Sequence, residues 1–319
     1  MCGIVGYVGP KASLPVVMEG LRRLEYRGYD SAGIAVVADG HIEARKKAGK
    51  LVNLENEIEF VPLSDSSTGI GHTRWATHGA PNDVNAHPHL SEDESVAVIH
   101  NGIIENFALL RDELRAKGVT LRSQTDTEIV AHLLADQMHA TGDLAQALRL
   151  VCQRLTGAFT LVAVHADTPD LVVAARRNSP LVVGRGDGEN FLASDVAAFI
   201  AHTRNAIELG QDQVVVLTPE NILVTDFFGN PVDVVEYEVT WDATAAEKGG
   251  FDLYMLKEIA EQPKAVADTL LGRIDDAGKV TLDTLTLDDE YLKTIDKVII
   301  TACGTAYHSG LIAKYAIEH

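Results

Sequence analysis

The residue with the clearest chemical potential is Cys2, which follows the initiator methionine. A cysteine at this position allows an aminopeptidase to remove Met1, leaving a free α-amine beside the thiol. The thiol has a reference pKa of about 8.5 and the amine one of about 7.7 to 8.0, so a single residue could supply both a nucleophile and the base that activates it. The alternative is a chance cysteine on a frayed terminus.

The residues after Cys2 do not resemble a frayed terminus. Positions 4–8 are mostly apolar, and glycines interrupt the run at positions 3, 6 and 9. This pattern predicts a buried strand with close backbone approaches. A nucleophile at the start of such a strand is held rigidly, as catalysis requires.

Two further predicted strands carry polar residues to their ends. Residues 69–73 form the first, which delivers residues 74–75, an arginine and a tryptophan. Residues 96–99 form the second, which delivers residues 101–102, an asparagine and a glycine, in the same manner. These four residues are therefore expected at the ends of the two strands.

A third polar stretch begins a predicted helix. Thr125 followed three residues later by Glu128 is a capping-box pattern, which is typical of a helix N-terminus. The core face of this helix is predicted to consist of Ile129, Val130, Leu133 and Leu134. Asp126 is then expected in the first turn.

Four ordered stretches together resemble one known family. They are Met1-Cys2-Gly3-Ile4-Val5-Gly6, Arg74-Trp75-Ala76-Thr77-His78-Gly79, His100-Asn101-Gly102-Ile103-Ile104-Glu105-Asn106 and Thr125-Asp126-Thr127-Glu128. They resemble the N-terminal-nucleophile glutamine amidotransferases, and most of all the glutamine:fructose-6-phosphate amidotransferases. The resemblance runs the length of the chain, and four motifs in order are more specific than any one of them.

The resemblance implies roles in releasing ammonia from glutamine. Cys2 would attack the side-chain amide, and its freed amine, with a water, would carry a proton to the leaving ammonia. The side-chain NH₂ of Asn101 and the backbone N–H of Gly102 would form the oxyanion hole. Arg74 would bind the glutamine α-carboxylate and Asp126 the α-ammonium. Supporting positions are implied for Thr77 and His78 as neighbouring contacts, Arg27 beside the nucleophile, and Trp75 as a gate on the ammonia path.

Each of these residues also has a simpler interpretation. Arg74 could be a surface ion-pair partner, Asp126 a helix N-terminal charge, and Asn101-Gly102 a plain turn; the last two are compatible with ligand binding. Five histidines, at positions 72, 78, 87, 89 and 100, lie close in sequence, but no carboxylate keeps a regular ligand spacing with them. We therefore expect no metal and no cofactor. Cys152 lies on an apolar helix face, which favours core packing over reactivity.

Length and composition bound the protein class. A chain of 319 residues with 46% hydrophobic content predicts one domain plus part of another. The formal net charge of −19 argues against nucleic-acid or anionic-membrane partners, which require clustered lysine and arginine. Three cysteines without an evident signal segment indicate a reducing compartment, so a cytoplasmic location is expected.

The element pattern predicts an α+β fold. A helix after the first strand is predicted by apolar residues at helical spacing, which are Leu14, Val17, Met18, Leu21 and Leu24, and Asp39-Gly40 predicts a tight hairpin turn. Many strands, hairpins and two groups of helices favour a sandwich of two antiparallel sheets with helices outside, and the resemblance implies the four-layer αββα arrangement of N-terminal-nucleophile enzymes. We predict a glutaminase domain over residues 2–240. Residues 241–319 are predicted to hold a linker, at 241–250, and the truncated start of an α/β sugar-isomerase domain.

The predicted second domain begins with a helix over residues 254–271, which Pro263 would kink or split. Residues 296–301 predict a strand that runs into Cys303-Gly304-Thr305 and a closing helix. A strand, a small-residue turn and a helix N-terminus can present backbone N–H groups to a phosphate, so these three residues are candidates for a partial sugar-phosphate site.

Two functions remain open at this point. The first is a glutamine-dependent amidotransferase of hexosamine synthesis, whose complete form uses the ammonia to convert fructose 6-phosphate to glucosamine 6-phosphate and is expected to be a homodimer. In that case this chain is expected to act as a glutaminase alone. The second is a catalytically silent binding or regulatory fragment of the same fold. Such a fragment would tolerate the loss of Cys2, Asn101 or Gly102, yet all three are present.

Overall fold

The structure, a computed structural model, describes residues 2–240, 249–271, 273–274, 280 and 288–319. The prediction that Met1 is removed and most of the predicted linker, residues 241–248, fall outside the described residues. The chain divides into two compact units, Met1–Asp252 and Leu253–His319.

The first unit is built on two sheets in which all named strand pairs are antiparallel. Its strands are β1 Gly3–Val8, β2 Ser31–Ala38, β3 His41–Ala48, β4 Thr68–Arg74, β5 His89–Leu90, β6 Val96–Ile104, β7 Gly157–His165, β8 Val172–Arg177, β9 Val182–Arg185, β10 Asn190–Ala193, β11 Asn205–Glu208, β12 Gln213–Leu217, β13 Ile222–Asp226 and β14 Glu236–Glu238. The eight-stranded sheet has the order β14-β11-β9-β10-β1-β4-β2-β3, and the six-stranded sheet has the order β13-β12-β8-β7-β6-β5.

Helices cover the outer face of each sheet. They are α1 Ser13–Arg23, α2 Leu51–Phe60, α3 Phe107–Ala116, α4 Thr127–Thr141 and α5 Leu144–Arg154. Helices α1 and α2 pack on the eight-stranded sheet, and α3, α4 and α5 pack on the six-stranded sheet. A third apolar cluster fills the space between the sheets. The predicted α+β sandwich with four αββα layers is therefore confirmed.

Side-chain alternation along the strands decides which residues face the space between the sheets. On β1, Ile4 and Val8 join the inter-sheet cluster, whereas Val5 and Tyr7 pack under the helices. On β6, Ala97 joins the inter-sheet cluster, as does Ile99 two residues later. Because neighbouring side chains on a strand point to opposite faces, Asn101, two residues after Ile99 on β6, faces the same space.

Several predicted elements are confirmed with small shifts of boundary. The Asp39-Gly40 turn joins β2 to β3, and both residues have positive φ angles, 49° and 77°, as a tight hairpin turn requires. Cys152, which lies on α5, is buried in the core, as expected. Asp126 immediately precedes α4 instead of lying within it.

Other predictions were wrong. Strand β6 does not end before Asn101 but continues to Ile104, because β7 pairs with it along its whole length. The short strands β5, β11 and β14 were not predicted. Two to four residues give too little periodicity to stand out in a sequence, so these strands form through pairing to a neighbour.

The second unit contains three helices among its described residues. They are α6 Tyr254–Leu270, α7 Asp289–Leu292 and α8 Thr305–Glu318. Pro263 lies inside α6, which is one helix and is not split. Residues 296–301 do not form a strand in the described part of the chain, which contradicts the prediction. A run of β-branched residues favours a strand but does not suffice to form one, because a strand also requires hydrogen bonds to a neighbouring strand. No helix in the described ranges is long and apolar enough to cross a membrane.

Candidate active site

A pocket of about 380 Å³ opens in the first unit. It is lined by Cys2, Arg27, Arg74, Trp75, Thr77, His78, His87, His100, Asn101, Gly102, Ile103, Thr125, Asp126, Thr127, Ser179 and Pro180. All nine residues that sequence analysis assigned to glutamine chemistry are among them. They come from separate stretches of the chain, so only the tertiary fold brings them together.

The thiol of Cys2 faces the backbone of Trp75. The backbone N–H of Trp75 donates a hydrogen bond to Cys2 Sγ at 3.1 Å, and the Trp75 carbonyl oxygen lies 3.6 Å from the same sulfur. The Trp75 side chain is 56% exposed. The backbone of this residue therefore contacts the nucleophile candidate, a role that sequence analysis did not foresee.

Hydrogen bonds on both sides fix the backbone that follows Cys2. The N–H of Gly3 donates to Thr73 Oγ1 at 3.1 Å, and the N–H of Ile4 donates to Ser194 Oγ at 3.1 Å. A Cβ added at Gly3 would lie 2.5 Å from Thr73 Oγ1, so only glycine allows β1 to approach β4 this closely. The predicted strand thus holds Cys2 at a defined position.

The carbonyl oxygen of Cys2 accepts two side-chain hydrogen bonds. Arg27 Nη1 donates to it at 3.3 Å and Asn101 Nδ2 at 3.2 Å. Arg27 Nη2 also donates to the Ser194 carbonyl, and it lies 3.4 Å from Asp195 Oδ2. Arg27 therefore links the Cys2 backbone to the segment after β10.

Opposing effects act on the ionisation of the Cys2 thiol. Burial raises the pKa of Cys2, whereas the Trp75 backbone N–H and the nearby Arg74 guanidinium lower it, and the Asp30 carboxylate raises it. The Trp75 N–H and the Arg74 guanidinium thus favour the thiolate, but they do not fully offset the free-energy cost of burying its charge.

Asn101 and Gly102 lie inside β6 at the pocket wall. Asn101 is 8% exposed, and its Oδ1 lies 2.9 Å from His72 Nε2. Gly102 has a φ angle of 124°, and a Cβ at this position would lie 2.0 Å from the Ala158 carbonyl oxygen. Both the backbone conformation and the space therefore require glycine at position 102.

The guanidinium of Arg74 is held by the loop that follows it. Arg74 is 4% exposed, Nη2 donates to the carbonyl oxygens of His78 and Gly79, and Nη1 lies 3.5 Å from the Ala80 oxygen. Neighbouring Asp30, Cys2 and Asp126 raise its pKa, but burial is the larger effect and lowers it. The loop thus wraps a buried cation at the pocket.

Asp126 is a buried residue that immediately precedes α4, a helix on the six-stranded sheet. It is 4% exposed, and its Oδ2 accepts a hydrogen bond from the Ile104 N–H at 2.9 Å. Its Oδ1 lies 3.9 Å from His100 Nδ1. The carboxylate is therefore tied to β6 on one side while it lines the pocket on the other.

Three buried histidines pack against one another beside the pocket. The ring centroids of His72 and His87 are 4.3 Å apart, and those of His87 and His89 are 5.0 Å apart. Burial lowers the pKa of all three, and that of His72 to about 3. These rings are therefore neutral near pH 7. They pack against one another, and they contribute to the site through their hydrogen bonds and not through a charge.

Some pocket residues were not found by sequence reasoning. Ser179 and Pro180, between β8 and β9, line the pocket although no motif marks them, and Ser194 holds the β1 backbone. A single serine or proline in a turn carries no periodic or spacing signal. The histidines were noticed only as a possible metal cluster, and their proximity to the candidate oxyanion residue was the signal that was missed.

The three candidate sugar-phosphate residues lie in the second unit. Cys303, Gly304 and Thr305 are all exposed, and they precede and begin α8. Gly304 has a φ angle of 62°, which suits a glycine before a helix.

Comparisons with known proteins identify the family of this chain. A glutamine amidotransferase domain family matches residues 60–228. Over its full length, the chain is 68% identical to a glutamine–fructose-6-phosphate aminotransferase (isomerizing) from Streptomyces coelicolor and 60% identical to one from Corynebacterium efficiens. The chain spans about half the length of these curated relatives, 52% of each.

A solved structure supports the fold assignment. A glutamine phosphoribosylpyrophosphate amidotransferase from B. subtilis matches with a TM-score of 0.61 at 25% identity, over 72% of this chain and 50% of that one. The resemblance deduced from four short stretches is thus confirmed by full-length similarity. The chain belongs to the glutamine amidotransferase family.

Proposed function

We propose that this chain hydrolyses glutamine to glutamate and ammonia, with Cys2 as the nucleophile. The observation that carries the proposal is the convergence of Cys2, Arg74, Asn101 and Asp126 on one pocket. A thiol, an amide donor, a cation and a carboxylate are the groups needed to attack an amide, hold its oxyanion and bind a zwitterionic amino acid. The pocket volume is typical of small-molecule sites.

In the proposed mechanism, removal of Met1 exposes the α-amine of Cys2, which accepts the thiol proton. The thiolate attacks the side-chain amide carbon of glutamine, and the carbonyl oxygen gains negative charge. The amine then returns the proton to the leaving nitrogen, and ammonia departs. Water attacks the resulting thioester, which releases glutamate and restores the thiol.

The developing oxyanion is proposed to lie between the Asn101 Nδ2 hydrogens and the backbone N–H of Gly102. Donors fixed in advance cost no reorganisation when charge develops, and each is worth roughly 3 kcal/mol in such sites. The β6 backbone and the Cys2 carbonyl, which Asn101 Nδ2 contacts at 3.2 Å, support this placement. The Trp75 N–H, 3.1 Å from the sulfur, favours the thiolate.

Arg74 is proposed to bind the α-carboxylate of glutamine and Asp126 its α-ammonium. Both are buried charges at the pocket wall, and a ligand with complementary charges would pair with each. Thr77 and His78 are proposed as neighbouring contacts, and Arg27 as a support for the Cys2 backbone. The exposed Trp75 indole is proposed as the gate on the path of released ammonia.

The test is an assay of the purified chain with L-glutamine, which measures glutamate and ammonia together with the intact mass of the protein. We expect equal amounts of both products from a chain that lacks Met1. Full activity from a chain that keeps Met1 would contradict the mechanism. Glutamine binding without product would favour the alternative, a silent binding or regulatory protein.

For a protein of the relatives' full length, we propose a reaction between glutamine and fructose 6-phosphate, the two substrates in the relatives' names. In this proposal, ammonia from glutamine aminates fructose 6-phosphate in hexosamine synthesis. A homodimer, a cytoplasmic location and a sugar-isomerase domain that begins in the second unit belong to this proposal. Cys303, Gly304 and Thr305 are proposed as part of its sugar-phosphate site. Their support is the resemblance and the position of Gly304 before α8.

This chain alone is expected to release ammonia without forming the amino-sugar phosphate. The three candidate residues are exposed, and no paired strand is described beside residues 296–301. Incubation with glutamine and fructose 6-phosphate, followed by mass spectrometry, tests this. Amino-sugar phosphate above the control without enzyme would show that the second unit already forms a working site.

A further inference from the structure

The side chain of His72 connects the two sheets at the candidate oxyanion residue. His72 lies on β4 of the eight-stranded sheet and Asn101 on β6 of the six-stranded sheet, and His72 Nε2 is 2.9 Å from Asn101 Oδ1. His72 is completely buried. The bond therefore crosses the space between the sheets in a region without competing solvent.

The chemistry of the Cys2 carbonyl sets the orientation of the Asn101 amide. A carbonyl oxygen only accepts hydrogen bonds, so the group 3.2 Å from it must be the Asn101 NH₂. The Asn101 oxygen then faces His72 Nε2, which must carry a hydrogen. The second hydrogen of the same NH₂ remains for the pocket that Asn101 lines.

The alternative tautomer of His72, with its proton on Nδ1, would place two hydrogen-bond acceptors against each other. A neutral imidazole has one N–H, and burial lowers the pKa of His72 to about 3, although the bond to Asn101 opposes this shift. No partner lies within strict hydrogen-bonding geometry of His72 Nδ1 among the described residues, but a weaker hydrogen bond with the His100 backbone raises the pKa of the ring and is the one competing contact. With the proton on Nδ1, two acceptors would meet at Nε2, or a reversed amide would turn its oxygen toward the Cys2 carbonyl.

We propose that His72 is a positioning residue, whose Nε2–H fixes the Asn101 amide so that its NH₂ faces the developing oxyanion. This inference rests on the glutaminase function proposed above. His72 does not contact the pocket itself, because it is not among the residues that line it. Its effect passes through Asn101, and it is therefore expected on kcat and not on the binding of glutamine.

The first test compares two substitutions at position 72. His72→Phe keeps a planar ring but removes the donor, and His72→Gln places an amide NH₂ near the position of Nε2. We expect His72→Phe to lower kcat about ten- to a hundredfold with KM for glutamine changed less than about threefold, and His72→Gln to recover most of the loss. Equal losses in both variants would overturn the proposal.

Two controls separate positioning from packing. His165→Phe alters another buried histidine, at the end of β7 that pairs with Val96 and not with Gly102, and is expected to leave kcat within about twofold. In an Asn101→Ala background, His72→Phe should cause no further loss of kcat, because the group that it orients is absent. An additional tenfold loss there would show a merely structural role and overturn the proposal.

A second measurement does not depend on turnover. Long-range ¹H–¹⁵N spectra of the full chain report the tautomer of His72, which we expect to be neutral and protonated at Nε2 from pH 5 to 8. A proton on Nδ1 would overturn the proposal even in an active enzyme. If the wild-type chain proves inactive, the glutaminase proposal fails while the spectrum still decides whether His72 orients Asn101.

Discussion

The residues proposed to carry out the reaction, here called the reaction group, are Cys2, Asn101 and Gly102. They are held by strands and by hydrogen bonds between the two sheets. The residues proposed to bind glutamine, here called the recognition group, are Arg74, Thr77, His78 and Asp126, and their positions depend on a loop and on the start of a helix. The Cys2 carbonyl oxygen accepts hydrogen bonds from Arg27 and Asn101. By contrast, the Arg74 guanidinium is surrounded by carbonyl oxygens of the loop that follows it.

The recognition group has its own supporting contacts. The Asn85 side chain bonds to the loop at Ala80 and to the segment before α4 at Gln124. Lys46 Nζ donates to the carbonyl oxygens of Val84, Ala86 and Pro88. Rigid strands suit groups whose position relative to the reacting atoms must not change, and polar loop contacts suit groups that must admit and release a ligand. Substitutions in the two groups should therefore differ in kind.

The largest expected effect is at the nucleophile. Cys2→Ser should lower glutamine hydrolysis about a thousandfold or more, because a hydroxyl is far less acidic than a thiol. Glutamate release measures the loss, and calorimetric titration should show that the variant still binds glutamine through the intact recognition group. Substantial turnover by the Cys2→Ser variant would remove Cys2 from the reaction group.

Asn101→Ala is expected to have the next largest effect. It should lower kcat about a hundredfold or more while KM for glutamine changes less than about threefold, because an oxyanion donor acts mainly as charge develops. Steady-state kinetics decide the matter. The matched control is Asn106→Ala, which removes bonds to Arg154 and Thr156 outside the pocket and should affect stability but not kcat.

Arg74→Ala should instead raise KM for glutamine by about ten- to a hundredfold with a smaller change in kcat, since a carboxylate anchor binds substrate and transition state alike. Arg74→Lys should recover only part of the affinity, because a lysine lacks the planar fork that a carboxylate matches. Arg22→Ala, which removes an exposed ion pair with Glu55, is the control. An effect confined to kcat would place Arg74 in the reaction group.

The smallest effect concerns the support of the recognition group. Glu128 accepts hydrogen bonds from the N–H groups of Arg122 and Ser123 at 2.6 Å and so ties down the segment before Asp126. Burial opposes ionisation of Glu128, but these bonds and His132 lower its pKa to about 2. Glu128→Gln should reduce the free energy of unfolding at pH 7 by about 1–3 kcal/mol.

The sign of its pH dependence follows from that lowered pKa. The stabilisation by Glu128 is present above the unfolded value of about 4.3 and is lost as pH falls toward about 2. Urea unfolding should therefore show wild type and Glu128→Gln converging between pH 4 and 2. A difference that stays constant over this range would show that the carboxylate charge contributes nothing.

Local sequence signals predicted many of the elements of this protein and the residues proposed to carry its chemistry. The apolar run after Cys2 predicted β1, helical spacing predicted α1, and Asp39-Gly40 predicted the first hairpin, because each depends on residues adjacent in the chain. The four motifs predicted the residue types of the pocket. These predictions needed no knowledge of distant contacts.

Only the tertiary structure decided how the predicted elements and motifs contact one another. That β6 runs on through Asn101 depends on pairing with β7, and residues 296–301 form no strand in the described part of the chain although their local pattern favours one. The contact of the Trp75 backbone with Cys2 and of His72 with Asn101 joins residues 73 and 29 positions apart. Strand pairing and inter-sheet hydrogen bonds join segments that are distant in the chain, so no local pattern predicts them. The side chains that alternate along β4 and β6 meet at one pocket only because the two sheets face each other.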